Sequence, residues 1–425
     1  MPIRPNGGRQ GASDASLVRT VGTGTGDLLV DGNALGIEPG DVVEITPGKY
    51  SSITLENLSG QLFKPVRVVA SGLVEVVGGG MYLHNVSHLT VDGGTKAKNL
   101  FLHDIPYRGI SISGSVPHGL TLQGIRARNI GDYTIFYGNQ TTYDNTDATA
   151  FINFKLLFCD FENAGTIQFN GNLLEASGLV NSGFVKNAEV AFCSFRNSPT
   201  TGILMFFGNV ENLNVHHNWI NNVNTQNNDH NGLFFLRGNG AVHHNKCTNH
   251  QGNFVRFRPF SQGNTPKEVL LHNNIVWNSR KYSALEVQSF AENMVPGVST
   301  YCNAKVYNNT VGRMNTTRPT DFVGVVVDVY NLFGGDLQIF NNLSFEQVKS
   351  DRNDGIWSQQ SVTVPSLNSN NRMFPTLAAA GLVDQNFFRL QSTSLAKGTG
   401  LNQSYLTDDF YGTQRTTTPS VGAVE

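Results

Sequence analysis

Charge is scarce in this chain. Asp, Glu, Lys and Arg make up 15% of its 425 residues, and the formal net charge is −2. So near-neutral a balance gives no electrostatic reason to expect nucleic acid or an anionic membrane as partner. No apolar run is long enough to span a bilayer. Runs rich in Ala, Glu and Lys, the usual material of long helices, are missing. Cysteine is limited to Cys159, Cys193, Cys247 and Cys302. None forms a CxxC pair, which argues against zinc. Residues 1–20 are polar and lack the apolar core of a signal peptide. The expectation is a cytoplasmic chain, a mature form, or one whose signal has been removed.

What is abundant instead is glycine (45 residues), asparagine and strand-forming Val, Ile, Phe and Thr, a composition suited to strands joined by tight turns. The asparagines recur. Asn218 in VHHN, Asn245 in VHHN, Asn274 in LHNN, Asn309 in VYNN and Asn342 in IFNN each end a short alternating strand. The gaps are 27, 29, 35 and 33 residues (245−218, 274−245, 309−274, 342−309). A strand-plus-turn unit at such a period is a solenoid signature. Each ladder strand alternates, with Leu213, Val215 and Ile220 inward, then Val242 and Cys247, and so on. The ladder Asn is expected at the turn, in the left-handed conformation that Asn tolerates, its amide bonded to the equivalents above and below. Cys159 and Cys193 fall on the same rung position, about 4.8 Å apart on adjacent coils. They read as stacked buried thiols, with a disulfide within reach. The column His216, His243, His272, Tyr307, Phe340 reads as stacked rings rather than a metal site.

A second strand follows each turn: 109–113, 134–138, 166–170, 202–206, 232–236, 254–258, 284–288 and 325–329. Ile110, Ile135, Ile167, Ile203, Leu233, Val255 and Leu285 are assigned inward. Phe136, Gln168, Asn170, Leu204, Phe206, Phe234, Leu236, Arg256, Arg258, Glu286, Gln288 and Val326 or Asp328 are assigned outward. Residues 40–69 carry three strand runs with Pro47-Gly48 as a turn, and residues 350–380 lose the repeat.

On these features the chain resembles right-handed parallel β-helices of the pectate-lyase-like superfamily. GDVVEITPGKY, ITLENLSG and KPVRVVAS resemble the opening of alginate-lyase and chondroitinase-B-type enzymes. DDFYGTQRTTTPSVGAVE (408–425) resembles the closing segment of secreted bacterial β-helix proteins. The expected architecture is all-β: a right-handed parallel β-helix of roughly ten coils over residues 25–348, after a polar segment 1–24. An irregular cap and tail, 349–425, would pack on the helix. The resemblance implies a secreted, periplasmic or cell-surface protein.

Chemistry is expected in the loops before the second strand. Asp229 and His230 precede 232–236, His250 precedes 254–258, and Arg280, Lys281 and Tyr282 precede 284–288. Because these coils are consecutive, Asp, His, Lys and two Arg fall within a patch roughly 10–15 Å wide. That inventory suits β-elimination of a uronate polymer. A guanidinium neutralises the carboxylate, and a base removes the adjacent proton. Arg256 and Arg258 are the expected clamps and Lys281 or His230 the base. Arg237, Phe206, Phe234, Gln288 and Glu286 would contact substrate. Asp229 and Glu286 are candidate calcium ligands, although two carboxylates fall short of a calcium shell. GLFFLRGNG (232–240) resembles the LxLRxG stretch of chondroitinase-B-like lyases and puts Arg237 in the catalytic-arginine position. It departs in having Gly238 where those enzymes have histidine, and no lysine in the coil before. RFRPF (256–260) resembles the Arg-Pro motif of pectate lyases. NTDG, GHG and DPH motifs are absent. The leading reading is thus a polysaccharide lyase acting on an acidic glycan. The alternatives are a glycoside hydrolase using Glu286 and Asp328, or a non-catalytic carbohydrate-binding or surface protein.

Overall fold

A computed structural model describes residues 16–173, 181–290, 294–317, 323–330, 332–347, 355–359 and 364–425. The alternating stretches form strands that pair in parallel with the equivalent strand of the next coil. Among the described residues, twelve successive pairings join thirteen strands, from Val18–Val21 to Leu367–Ser369. The chain is a right-handed parallel β-helix. It has more coils than the roughly ten expected, because the first coils lack the ladder Asn that marks the later ones. Pairing begins at Val18 and ends at Arg372–Phe374, beyond the expected limits 25–348 on both sides.

Each full coil has three strands rather than two. The first precedes the ladder turn, as in Glu268–His272, and the second follows it, as in Ile275–Ser279. The third sheet carries Arg108–Ser113, Tyr133–Tyr137, Thr166–Phe169, Asn253–Pro259, Leu285–Gln288 and Val327–Tyr330. Strands Met205–His216 and Gly232–His243 run from the third sheet straight into the next coil's first sheet. Gly238 and Gly240 make that bend possible in the second of these. Their φ of 137° and 139° suit glycine, and a Cβ there would collide with the backbone of Val210 and Leu213.

The ladder is as expected in its bonding. Asn245 Nδ2 donates to Val215 O at 2.9 Å and to Asn274 Oδ1 at 3.1 Å, while its Oδ1 accepts from Asn218 N and Nδ2. Asn274, Asn309 and Asn342 repeat this, and Asn371 adds a rung. The left-handed residue, however, is the one before each ladder Asn: His217, His244, Asn273, Asn308 and Asn341 have φ between 51° and 56°. That frees the ladder amide to point inward. Cys159 and Cys193 continue the column as free buried thiols, with Cys193 N donating to Asn218 Oδ1 at 2.9 Å and Cys159 N to Cys193 Sγ at 3.5 Å. The ring column also forms: His216, His243, His272, Tyr307 and Phe340 stack with centroids 4.7–5.1 Å apart.

The core is the inside of the coil, filled by side chains such as Phe169, Phe207, Phe234 and Phe257. Phe234 was expected to face outward. It is fully buried, as is Leu236, because strand 232–236 is in the opposite phase, whereas strand 202–206 keeps the expected phase and only its first outward residue, Leu204, is buried. The register aligns Met205, Phe234, Val255 and Leu285 inside, and Phe206, Phe235, Arg256 and Glu286 outside. Ile203, expected inside, is only partly buried.

The tail runs back across the ladder turns. Asp409 O accepts from His244 Nε2 at 3.0 Å, and Asp408 O from Asn273 Nδ2 at 3.0 Å. Arg415, its side chain wholly buried, donates to Asn273 Oδ1, Gly422 O, Ser420 O and Glu425 Oε1. Farther along, Gly422 N donates to Asn341 O and Ala423 N to Thr310 Oγ1. Val421, Ala423 and Val424 cover Ile275, Leu343 and Phe345 on the outer face of the second sheet. No helix among the described residues is long and apolar enough to cross a membrane.

Candidate active site on the third sheet

Three consecutive coils place the candidate residues. The strand NFVRFRP alternates cleanly, so Val255 and Phe257 enter the core and Arg256 and Arg258 face out. Parallel register sets Phe235 beside Arg256, and Arg256 beside Glu286 and then Asp328. Arg237 pairs in register with Arg258, and Gln288, which follows Val287, extends that column.

Glu286 is the hub. Its side chain is 3% exposed, and Oε2 accepts from Arg256 Nη2 at 3.1 Å. His230 Nε2 lies 3.1 Å from the same oxygen and 3.0 Å from Asn253 Oδ1. Asn253 Nδ2 donates to Ser283 O at 3.0 Å, which fixes the amide and turns its oxygen toward the imidazole. Two acceptors therefore face Nε2, so this nitrogen carries a proton and, in the neutral ring, Nδ1 is the one that can accept. Burial alone would raise the Glu286 carboxyl. The His230 hydrogen bond and the Arg256 charge outweigh it and hold the group below its usual range.

The loops that present His230 are cross-braced. Arg280 reaches Thr225 O and Asn228 Oδ1, and Gln251 Nε2 donates to Asp229 O at 2.7 Å. Arg256 Nη1 donates to the His230 carbonyl at 3.1 Å. Tyr282 has φ 74°, a conformation strained for an aromatic residue, of order 1–3 kcal/mol. It sets the phenol ring against His230, centroids 3.9 Å apart and 18° from parallel. Lys281 is almost fully buried, with Nζ 3.4 Å from Asn228 O. Asp229 is exposed and His250 lies in the core.

Around this hub the face is cationic and aromatic. The Arg237 guanidinium lies 5.5 and 5.3 Å from the rings of Phe206 and Phe235. Arg258 lies 5.1 Å from Phe235 and 5.0 Å from Phe290, and Arg256 is 5.9 Å from Phe235. Phe206 and Phe235 meet edge to face at 5.4 Å. Phe235 thus occupies the place expected for Phe234. Phe235, Asn253 and Phe290 were not singled out from the sequence. The i, i+2 spacing shared by Phe235–Arg237 and Arg256–Arg258 is the signal that finds the first of them.

The residues expected to hold calcium do not fit one. That cation takes six to eight oxygen ligands. Here the carboxylate of Glu286 already accepts from an arginine and a histidine, and the described residues bring no group of three or more His, Cys, Asp or Glu together. A hydrolase pair of Glu286 and Asp328 is also disfavoured, although the two are register partners. The acid of such a pair needs a raised pKa and that of Glu286 is lowered, so Glu286 does not suit the acid's role, and Arg256 and His230 already engage the oxygen it would need as nucleophile. The arrangement is suited instead to binding an anionic group with guanidinium forks and offering an oriented imidazole beside it.

No protein-family model and no curated protein matches the chain. Among solved structures it is similar to the pectate lyase Pel9A, at 13% identity over 92% of this chain and 89% of that one, TM-score 0.42. It is also similar to the PL6 family polysaccharide lyase Pedsa3628 from Pseudopedobacter saltans, at 13% identity over 82% and 92%, TM-score 0.44. The PL6 family alginate lyase AlyGC gives 13% identity over 79% of this chain and 53% of that one, TM-score 0.38. Overlap at this level says nothing of activity, and the architecture rests on the strand register described above.

Proposed function

We propose that this protein is a polysaccharide lyase that cleaves a uronate-containing glycan by β-elimination on its third sheet, acting outside the cytoplasm or at the cell surface, where such polymers lie. The observation that carries the reading is a histidine whose tautomer is set by Glu286 and Asn253, next to three outward arginines. Arg237 and Arg258 bind the sugar carboxylate and draw charge from it, which makes the neighbouring C5 proton acidic. His230 Nδ1 takes that proton. The electron pair forms the C4–C5 double bond, the C4–O glycosidic bond breaks, and the departing oxygen takes up a proton, which can be the one just abstracted. Glu286 stabilises the transient imidazolium, and Arg256 holds Glu286 in place. His230 fits the base role better than Lys281, whose ammonium is buried against a loop carbonyl.

The test is ultraviolet absorbance during incubation with polyuronates and glycosaminoglycans, with and without chelator. The expected outcome is a rising trace that survives chelator, because arginine rather than metal neutralises the carboxylate. His230→Ala should lower kcat about 10²- to 10⁴-fold. A flat trace across the panel, or full activity in His230→Ala, would overturn the reading.

A further inference from the structure

The outward face of the third sheet carries a second cationic and aromatic cluster, which the proposed reaction does not use. Tyr82, Ser111 and Phe136 share one column, which continues through Gln168, Phe206 and Phe235 to Arg256. Four coil steps separate Phe136 from Arg256, about 19 Å along the axis. Here Tyr82, Arg108, Ser111, Phe136, Asn139 and Thr141 help line a groove of about 630 Å³.

Arg108 is its centre. The guanidinium lies 3.7 Å from the Phe136 ring centroid and 4.6 Å from that of Tyr107, whose hydroxyl accepts from Nη2 at 2.8 Å. Its Nε is buried with no hydrogen-bond partner among the described residues, and none of their carboxylates pairs with it. Arg67, Arg256 and Arg415 each have such a partner. In a chain this poor in charge, a guanidinium held between rings without a counter-ion has open capacity for an anion. Phe136 folds flat over Gly138, where an added Cβ would come within 2.5 Å of the ring. The groove therefore offers a fork for an acid group, hydroxyl and amide groups at its rim, and the exposed ring of Tyr82 beside them.

We propose that this groove is a remote subsite for an acidic sugar unit, holding by its carboxylate the same polymer that is cut several units away beside His230. The direction of the argument rests on the lyase reading, but binding at Arg108 does not require turnover. The experiment compares wild type with Arg108→Gln on a long polyuronate and on its trisaccharide. The expected result is a kcat/KM on the polymer lowered about tenfold, through KM, as for one lost charge-assisted hydrogen bond, with a much smaller change on the trisaccharide. Equal losses on both substrates, or none on the polymer, overturn the proposal. Arg108→Lys, which keeps the charge without the fork, and Phe136→Leu give the same comparison should Arg108→Gln fail to fold. If wild type turns over no polyuronate, electrophoresis through a gel containing one separates the two ideas. Retardation that Arg108→Gln abolishes keeps the subsite while the lyase reading falls. Retardation that is absent, or unchanged in the variant, overturns the subsite.

Discussion

Position decides what an imidazole does in this molecule. His230 sits half-exposed between a carboxylate and an amide oxygen, which orient its ring at the surface. His250 is fully buried, neither ring nitrogen has a hydrogen-bond partner among the described residues, and burial pushes its pKa down to about 3. Burial likewise brings His243 to about 3 and His217 to about 4. An unfolded chain protonates these groups near the ordinary value of 6.5, and the folded one only well below it. Between the two values the unfolded state binds more protons, so stability present at neutral pH is lost as pH falls. His250→Leu should therefore keep more of its stability between pH 6.5 and 4, by up to about 3 kcal/mol. Urea unfolding at both pH values checks this, and an unchanged acid slope would refute it. The proximity of His230, Arg256 and Glu286 was legible because NNDHNG, FVRFR and ALEVQ belong to consecutive coils and the latter two alternate cleanly. Phe235 was not, since LFFL is apolar at every position and gives no phase. Asn253, which fixes the His230 tautomer, is recognisable only from its bond across to Ser283.

Among the elements, the ladder turn is the most demanding. Each rung satisfies its neighbours, so removing one leaves partners on both sides. Asn274→Ala would strand the backbone N–H of Asn245 and take the side-chain donor from the Val242 carbonyl. The expected loss is about 2–4 kcal/mol in chemical denaturation, from unpaired buried groups of about 1–3 kcal/mol each. Asn274→Cys should cost less, because Cys193 already accepts a rung N–H from Cys159. Equal losses would mean that the amide's shape, rather than its bonds, is what the turn requires. The roughly thirty-residue period was readable from the asparagines alone. Which of two polar residues takes the left-handed conformation was not: HHN and NN offer it to either, and the inward pull of the ladder amide decides. The same turn hid the strand beyond it, so a three-strand coil looked like two.

At the scale of the whole molecule, stacked coils touch only their neighbours, and such arrays lose cooperativity readily. The closing segment opposes this by touching the chain from His244 to Leu343. Deleting residues 408–425 should uncover Ile275, Leu343 and Phe345, worth about 1.5–3 kcal/mol per large side chain. The expected result is a lower and broader thermal transition with increased binding of a hydrophobic dye, and a sharp transition at the original temperature would contradict it. The sequence marked the tail only as a stretch outside the repeat. That it covers the second sheet was not legible, because a face buried only by distant residues leaves no local period. The same arrangement has a mechanical meaning. Force applied at Glu425 would meet Arg415 and its bonds in shear before any coil could peel away, so the molecule should resist traction from that end and yield from the other.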